Sequence, residues 1–375
     1  MKLNKKILLD ANPVVPILAH GIHTGIGRTC LELIKGLNKI QSGLTFQIEL
    51  ITQNLRGISA KQLETRFKTH HIYLRNTEKY NRLAAKFRLR ELLASYDLMH
   101  ITHNYEIVAD PSRCIVTAHD AFYMKFDSPN FNYAAMRKTH PDFLRECRHI
   151  ITCSEYSKND IIATMGICPD KITVIPWGID HNVFNVCGKE TSKDYVRSHY
   201  NIVKPYFVSI SCDEGRKRTP ALIDAYIELE NPQNDLVLVW KNAPESILKK
   251  IAQNNRIHIL SGVTDEGLKF LYNAATAAFN PSAYEGFGLP ILEAMACGCP
   301  SVTCKNSSLP EVGQDIAIYI DEPINKSLYE VMKLIDSHEL DLSARCPAGV
   351  KHAKNFTWEA NAAATAAVYE SQLLS

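Results

Sequence analysis

Apolar runs of strand length alternate with amphipathic stretches along nearly the whole chain. Residues 6–10, 46–52, 72–74, 98–102, 114–117, 150–153 and 172–175 form one series of runs, and 206–211, 236–240, 257–260, 277–279 and 301–304 a second. Between them apolar residues recur at helical spacing, as at Leu31, Leu33, Ile34 and Leu37. Strands alternating with helices predict an α/β fold whose parallel sheets are covered on both faces, and ligands then bind beyond the carboxyl ends of the strands. Over 186–203 the apolar runs stop and charge accumulates, which puts a crossover linker there, between a first domain at 1–185 and a second at 204–355. A chain of 375 residues can give each its own core. Residues 356–375 read as a capped terminal helix in which Trp358 packs.

The densest chemistry lies at one junction, Pro281-Ser-Ala-Tyr-Glu-Gly-Phe-Gly-Leu-Pro-Ile-Leu-Glu293. A helix beginning at Leu289, with Pro290 in its first turn where a missing N–H costs nothing, puts Glu285 in the loop and Glu293 one turn into the helix. Gly286 and Gly288 let the backbone approach a ligand closely, and the N–H groups of Phe287, Gly288 and Leu289 add unpaired donors. A polyhydroxylated or anionic ligand suits such a place.

Other strand ends carry related signals. Gly21-Ile-His-Thr-Gly-Ile-Gly-Arg28 follows the first strand, and Gly25, Ile26 and Gly27 can bring backbone amides against a phosphate. Gly215-Arg-Lys-Arg218 precedes a helix that Thr219 would cap with Pro220 behind it, so Arg216 and Lys217 stand where positive charge works with the helix dipole on an anion. Ser261-Gly-Val-Thr264 ends in an N-cap, and Ser154 caps a helix beginning near Lys158. Thr117-Ala-His-Asp120 sets His119 at a strand's carboxyl end, a place that serves a ligand contact or a bond to a loop carbonyl; Pro176-Trp-Gly-Ile-Asp180 follows the last strand of the first half. His20, His23, His103 and His181 read as loop residues.

Taken in order, and with Ser307-Ser-Leu-Pro-Glu-Val-Gly313, these stretches resemble glycosyltransferase family 4 over nearly the whole chain, most densely from Tyr206 to Asp321. The resemblance implies the GT-B arrangement, two Rossmann-like domains facing a cleft, with the C-terminal helix returning to the first domain. It implies a retaining enzyme that moves a sugar from a UDP- or GDP-linked donor to a glycan or lipid-linked acceptor, as in cell-surface polysaccharide synthesis. By the same resemblance Gly25, Ile26 and Gly27 lie beside the donor diphosphate with Arg216 and Lys217, and His119 lies near the reacting sugar carbon. Glu285 then takes the sugar hydroxyls beside Gly286, Phe287, Gly288 and Leu289, Glu293 takes the ribose, and backbone groups of Gly262 and Val263 take the nucleobase. Arg218 departs from the small or polar residue usual there, and Ser211 stands where some members have an arginine. The same fold also serves glycoside phosphorylases, and a non-catalytic nucleotide-sugar binder would keep the site without turnover.

A formal charge of +2 and a pI near 7.9 give no overall pull toward nucleic acid. Eleven scattered cysteines read as free thiols in a reducing compartment, hence a cytoplasmic protein. Cys297, Cys299 and Cys304 lack a C-x-x-C pair and no Asp-x-Asp occurs, so neither a metal nor a cofactor is expected, the nucleotide-sugar being a co-substrate. Lys2, Lys5 and Lys6 precede Ile7-Leu8-Leu9 as in a leader, but Asp10, Asn12 and two prolines break the run, and no run approaches the ~18–20 apolar residues of a spanning helix. Arg75, Lys79, Arg82, Lys86 and Arg90 recur at helical spacing; the stripe suits a solvated helix or peripheral contact with an anionic membrane.

Overall fold

The computed structural model describes residues 5–21, 24–104, 107–127, 133–212, 215–322 and 324–374. The chain forms two compact units, Met1–Gly178 with Trp358–Ser375, and Ile179–Thr357. In the first, β1 (Lys6–Asp10), β2 (Gln47–Gln53), β3 (Lys68–Ile72), β4 (Leu98–Ile101), β5 (Cys114–Thr117), β6 (His149–Thr152) and β7 (Ile172–Val174) form one parallel sheet in the order β3-β2-β1-β4-β5-β6-β7. In the second, β8 (Tyr206–Ile210), β9 (Asp235–Val239), β10 (Ile257–Leu260), β11 (Ala277–Asn280), β12 (Ser301–Cys304) and β13 (Ile318–Ile320) take the order β10-β9-β8-β11-β12-β13. Each sheet grows outward on one side and then resumes on the other, so each has a switch point, between β1 and β4 and between β8 and β11. Loops leaving those carboxyl ends diverge and leave a crevice.

Both faces of the first sheet are buried, as the continuous apolar runs require. Ile7, Leu9, Leu50, Ile115 and Ile151 pack on one side, and Leu8, Met99, Val116 and Ile150 on the other. The terminal helix Trp358–Leu374 belongs to this unit and lies on the helix Gly25–Ile40. Close approach needs small residues: a Cβ on Gly36 would stand 2.7 Å from that of Ala362 and 2.9 Å from the Trp358 carbonyl. Trp358 is 6% exposed and Tyr369 is fully buried against His100, so this helix completes a core.

Three expectations shift. Residues 186–203 hold the helix Lys189–Tyr200, which packs against the helix Asp265–Ala274 with Tyr195 stacked 4.1 Å from Phe270; the chain passes between units at Gly178–Ile179 and Thr357–Trp358. The charge there marks a helix's outer face, since Ser192 and Val196 are buried. The basic stripe is broken: Arg88 takes φ 49° between the helices Glu78–Lys86 and Leu89–Leu93, and Arg90 is 4% exposed and donates to the Ile107 carbonyl. Of the run at 72–74 only Ile72 is in a strand, as the last residue of β3, an edge strand whose earlier residues are polar.

Candidate functional site

In the second unit the loops after β8 and β11 meet at the switch point. Glu285 accepts from Lys217 Nζ at 2.6 Å and from Ser282 Oγ at 2.7 Å on Oε1, and from Arg216 Nη1 at 2.9 Å on Oε2. Main chain fixes the same pairing, because Ala283 N–H donates to the Arg216 carbonyl at 2.7 Å and Arg216 Nη1 also reaches the Tyr284 carbonyl at 3.2 Å. Behind the carboxylate, Ser307 Oγ accepts from Glu285 N–H, and Ser308 Oγ lies 2.9 and 2.8 Å from the Glu285 and Phe287 carbonyls.

Burial alone would raise the Glu285 carboxyl pKa. The charges of Lys217 and then Arg216, with the Lys217 and Ser282 hydrogen bonds, outweigh it and bring the value to about 2. A carboxylate has about four acceptor positions. Two donors occupy Oε1 and one occupies Oε2, which leaves room for one further hydroxyl. Lys217 donates one of its three N–H bonds here, and the others are available to an oxyanion.

The helix Leu289–Ala296 starts where the sequence places it, with Pro290 in the first turn. Gly288 sits before it at φ 107°, a conformation that favours glycine. Gly286 and Phe287 are buried, Phe287 edge-on to Phe356 at 6.0 Å, and Glu293 is 5% exposed on the helix's inner side. Gly262, at φ 69°, and Val263 follow β10, and a Cβ on Gly262 would meet nothing within 4 Å. Thr264 then caps the helix Asp265–Ala274 by accepting from Gly267 N–H at 3.1 Å. Thr219 does not cap: it is already inside the helix Thr219–Ile227, and Arg218 takes the preceding position at φ 51° and pairs with Glu322 at 2.6 Å. That contact draws Arg218 aside from Glu285.

In the first unit Gly25, Ile26 and Gly27 open the helix Gly25–Ile40. The Gly27 amide is taken by Thr24 Oγ1 at 3.0 Å, and a Cβ on Gly27 would stand 2.8 Å from the Pro13 carbonyl, so this glycine serves packing. A Cβ on Gly25 would meet open space, and the amides of Gly25 and Ile26 belong to the first turn, which has no intrahelical partner. His119 follows β5 as expected; its ring is 5% exposed, Nε2 lies 3.1 Å from the Thr102 carbonyl, and Trp177 packs edge-on at 5.2 Å. That carbonyl bond makes Nε2 the protonated nitrogen and Nδ1 the acceptor. Ser154 caps the helix Glu155–Met165, three residues earlier than the pattern suggests. His103, read as a loop residue, has Nδ1 3.5 Å from Asp10 Oδ2 at the β1/β4 switch point, and His23 lies outside the described residues. Among the described residues no three His, Cys, Asp or Glu side chains are grouped to hold a metal, and no helix is long and apolar enough to cross a membrane.

The sequence motifs include Ser282, Ser307 and Ser308 but assign them no role; in the structure they hold Glu285 and its loop. Their signal was position, directly after β11 and β12.

Burial also governs the first unit's histidines. It pushes His100 down to about 3, helped by the charges of His119 and His103, and His119 and His140 to about 4, with His103 adding to both. Above pH 6.5 these rings are neutral folded or unfolded and add no pH dependence. Below it the unfolded chain takes up protons that the folded one refuses, so stability falls as pH drops toward 4, by up to about 4 kcal/mol per pH unit for three histidines. Denaturant unfolding followed by tryptophan fluorescence should give a markedly lower stability at pH 5 than at pH 7; equal values would contradict these buried neutral rings.

Residues 23–183 match the family model Glycosyltransferase Family 4, and 197–340 match Glycosyl transferases group 1. The chain is 28% identical to the O-antigen chain mannosyltransferase B of Escherichia coli over 361 residues, 90% of this chain and 93% of that one. Among solved structures, sucrose-phosphate synthase from Thermosynechococcus elongatus superposes with a TM-score of 0.76 at 16% identity, covering 99% of this chain and all of that one. Anabaena Alr3699/HepE in complex with UDP-glucose gives 0.73 at 18% identity, covering 98% and 99%.

Proposed function

Because the chain belongs to the family 4 glycosyltransferases, we propose that it moves a sugar, mannose in the first instance, from a nucleotide-diphosphate donor to a saccharide acceptor in polysaccharide assembly, with retention of configuration. The mannosyltransferase relative supports the choice of sugar, and the UDP-glucose bound to the Anabaena protein supports the class of donor. One observation carries the reading: Arg216 and Lys217 are held on Glu285 at the carboxyl end of the second sheet.

Transfer breaks the bond from the sugar's anomeric carbon to the diphosphate oxygen and forms one to the acceptor oxygen. The acceptor's proton goes to the departing phosphate, which acts as base on the same face. Negative charge builds on the leaving oxygens, where fixed cations stabilise the transition state more than the ground state. Lys217 and Arg216 provide that charge in place of a metal, with amides of the Gly288–Leu289 turn beside them. Glu285 takes one sugar hydroxyl, Glu293 the ribose, and the backbone of Gly262 and Val263 the base. In the first unit Gly25 and Ile26 offer amides to phosphate, and His119 is assigned to the sugar.

The eleven free cysteines fit a reducing, cytoplasmic setting. Leu83, Phe87, Leu92 and Leu93 are 41–76% exposed beside Lys79 and Lys86, which supports peripheral contact with an anionic membrane bearing lipid-linked acceptors. Flotation with anionic vesicles, but not with neutral ones, is the expected result, and no flotation with either removes that contact. For the reaction itself, GDP-mannose and UDP-glucose are each incubated with protein, EDTA and a mannose-terminated oligosaccharide acceptor, and nucleoside diphosphate release is followed. Release from one donor, unaltered by the chelator, is expected. Release only with added metal would contradict the role given to the two cations, and phosphate-dependent turnover without nucleotide would favour a phosphorylase.

A further inference from the structure

The second unit has a hollow of about 890 Å³ at the amino ends of its strands, away from Glu285. Pro205, Thr276 and Pro300, which precede β8, β11 and β12, line it, together with the helix Lys189–Tyr200, the loop after the helix Leu289–Ala296 and the helix Arg345–Ala353. Its volume falls within the ~300–1,000 Å³ of sites for small organic ligands. Val196, Ile202, Ala274 and Ala275 are packed beneath it and nearly closed to solvent, so the apolar surface it offers lies at the rim. At the mouth Val186 and Val203 stay 58% and 67% exposed, which is costly unless something covers them.

Charge around the hollow has one sign in excess. Lys189, Lys193, Arg197 and Lys204 line it; Lys193 is paired with Glu190 at 2.8 Å and Arg197 with Asp194 at 3.5 Å. Among the described residues neither Lys189 nor Lys204 has a carboxylate within ion-pair distance. Exposed apolar side chains beside two ammonium groups that make no ion pair suit a molecule with a hydrocarbon body and a dianionic head. We propose that this hollow binds a single-tailed phosphate ester, the tail against Val186 and Val203 and the phosphate between Lys189 and Lys204. The site is separate from the candidate donor site and does not depend on the reaction assigned there.

Two cysteines make it testable without any assay of turnover. Cys187 and Cys346 line the hollow and are partly exposed, whereas Cys168 is exposed in the first unit. The full chain is treated with iodoacetamide, and modification of each cysteine is followed by peptide mass spectrometry with decyl phosphate, decanol or inorganic phosphate, below micelle-forming concentrations. At tenfold excess over its Kd, decyl phosphate is expected to slow modification of Cys187 and Cys346 by about 10-fold and to leave Cys168 unchanged. Lys189→Glu with Lys204→Glu should abolish that protection while nucleotide binding, read by calorimetry, stays intact. No protection by decyl phosphate, equal protection by decanol, or protection that survives both lysine substitutions would overturn the proposal.

Discussion

Lys217→Ala is expected to lower kcat by ~10²- to 10³-fold, the usual loss when one fixed charge-stabilising donor is removed from a developing oxyanion. The effect should be large because Lys217 is preorganised. Its side chain is 11% exposed, and its bond to Glu285 holds Nζ in place before any ligand arrives. An ammonium so fixed needs little reorganisation when charge develops on the leaving phosphate. Lys217→Arg is the informative companion, because it keeps the charge and changes the reach. Activity of Lys217→Arg closer to wild type than that of Lys217→Ala would show that charge dominates. Steady-state kinetics of the three proteins decides it, and an unchanged kcat in Lys217→Ala would remove this residue from the mechanism.

Glu285→Gln should cost both activity and stability, for one reason. The amide keeps the shape and removes the charge, so Lys217 and Arg216 lose the carboxylate that they share. Breaking a buried ion pair typically costs about 3–5 kcal/mol, and about 3 is expected here because the Arg216 side chain keeps 23% exposure. The pH dependence separates this term from others. In the wild type the depressed Glu285 pKa contributes stability that is fully present above the ordinary carboxyl value of 4.5 and lost as pH falls toward about 2. Glu285→Gln lacks that contribution at neutral pH, so its stability should approach the wild type's as pH falls below 4. Denaturant midpoints at pH 7 and pH 3.5 measure this; a deficit that does not shrink would assign the loss to packing.

The order of apolar runs is enough to recover eleven of the thirteen described strands and the places where the chemistry sits, because each strand-to-helix junction writes its own local signal. Gly288 and Pro290 mark the start of a helix by conformational preference alone, and Arg216 and Lys217 announce charge at a helix entrance. What sequence did not show is pairing across distance. Glu285 lies 68 and 69 residues from its two cations, and only the sheet order, which makes β8 and β11 neighbours, brings them together. The same limit explains Gly27: its glycine reads as a phosphate cradle until Pro13 is seen against it. Short or polar elements were also opaque. β13 has three residues, β3 is mostly polar, and the helix Lys189–Tyr200 looks like a linker because its inner face is narrow.

Under the proposed function the switch point of the second unit holds the diphosphate of a nucleotide-sugar. Calorimetric titration of the protein with UDP, GDP and ADP tests it most directly, repeated with Lys217→Ala and Glu293→Ala. Micromolar binding of one nucleotide, weakened by both substitutions, is the expected result. Absence of binding by folded wild-type protein, or binding indifferent to both substitutions, would contradict it.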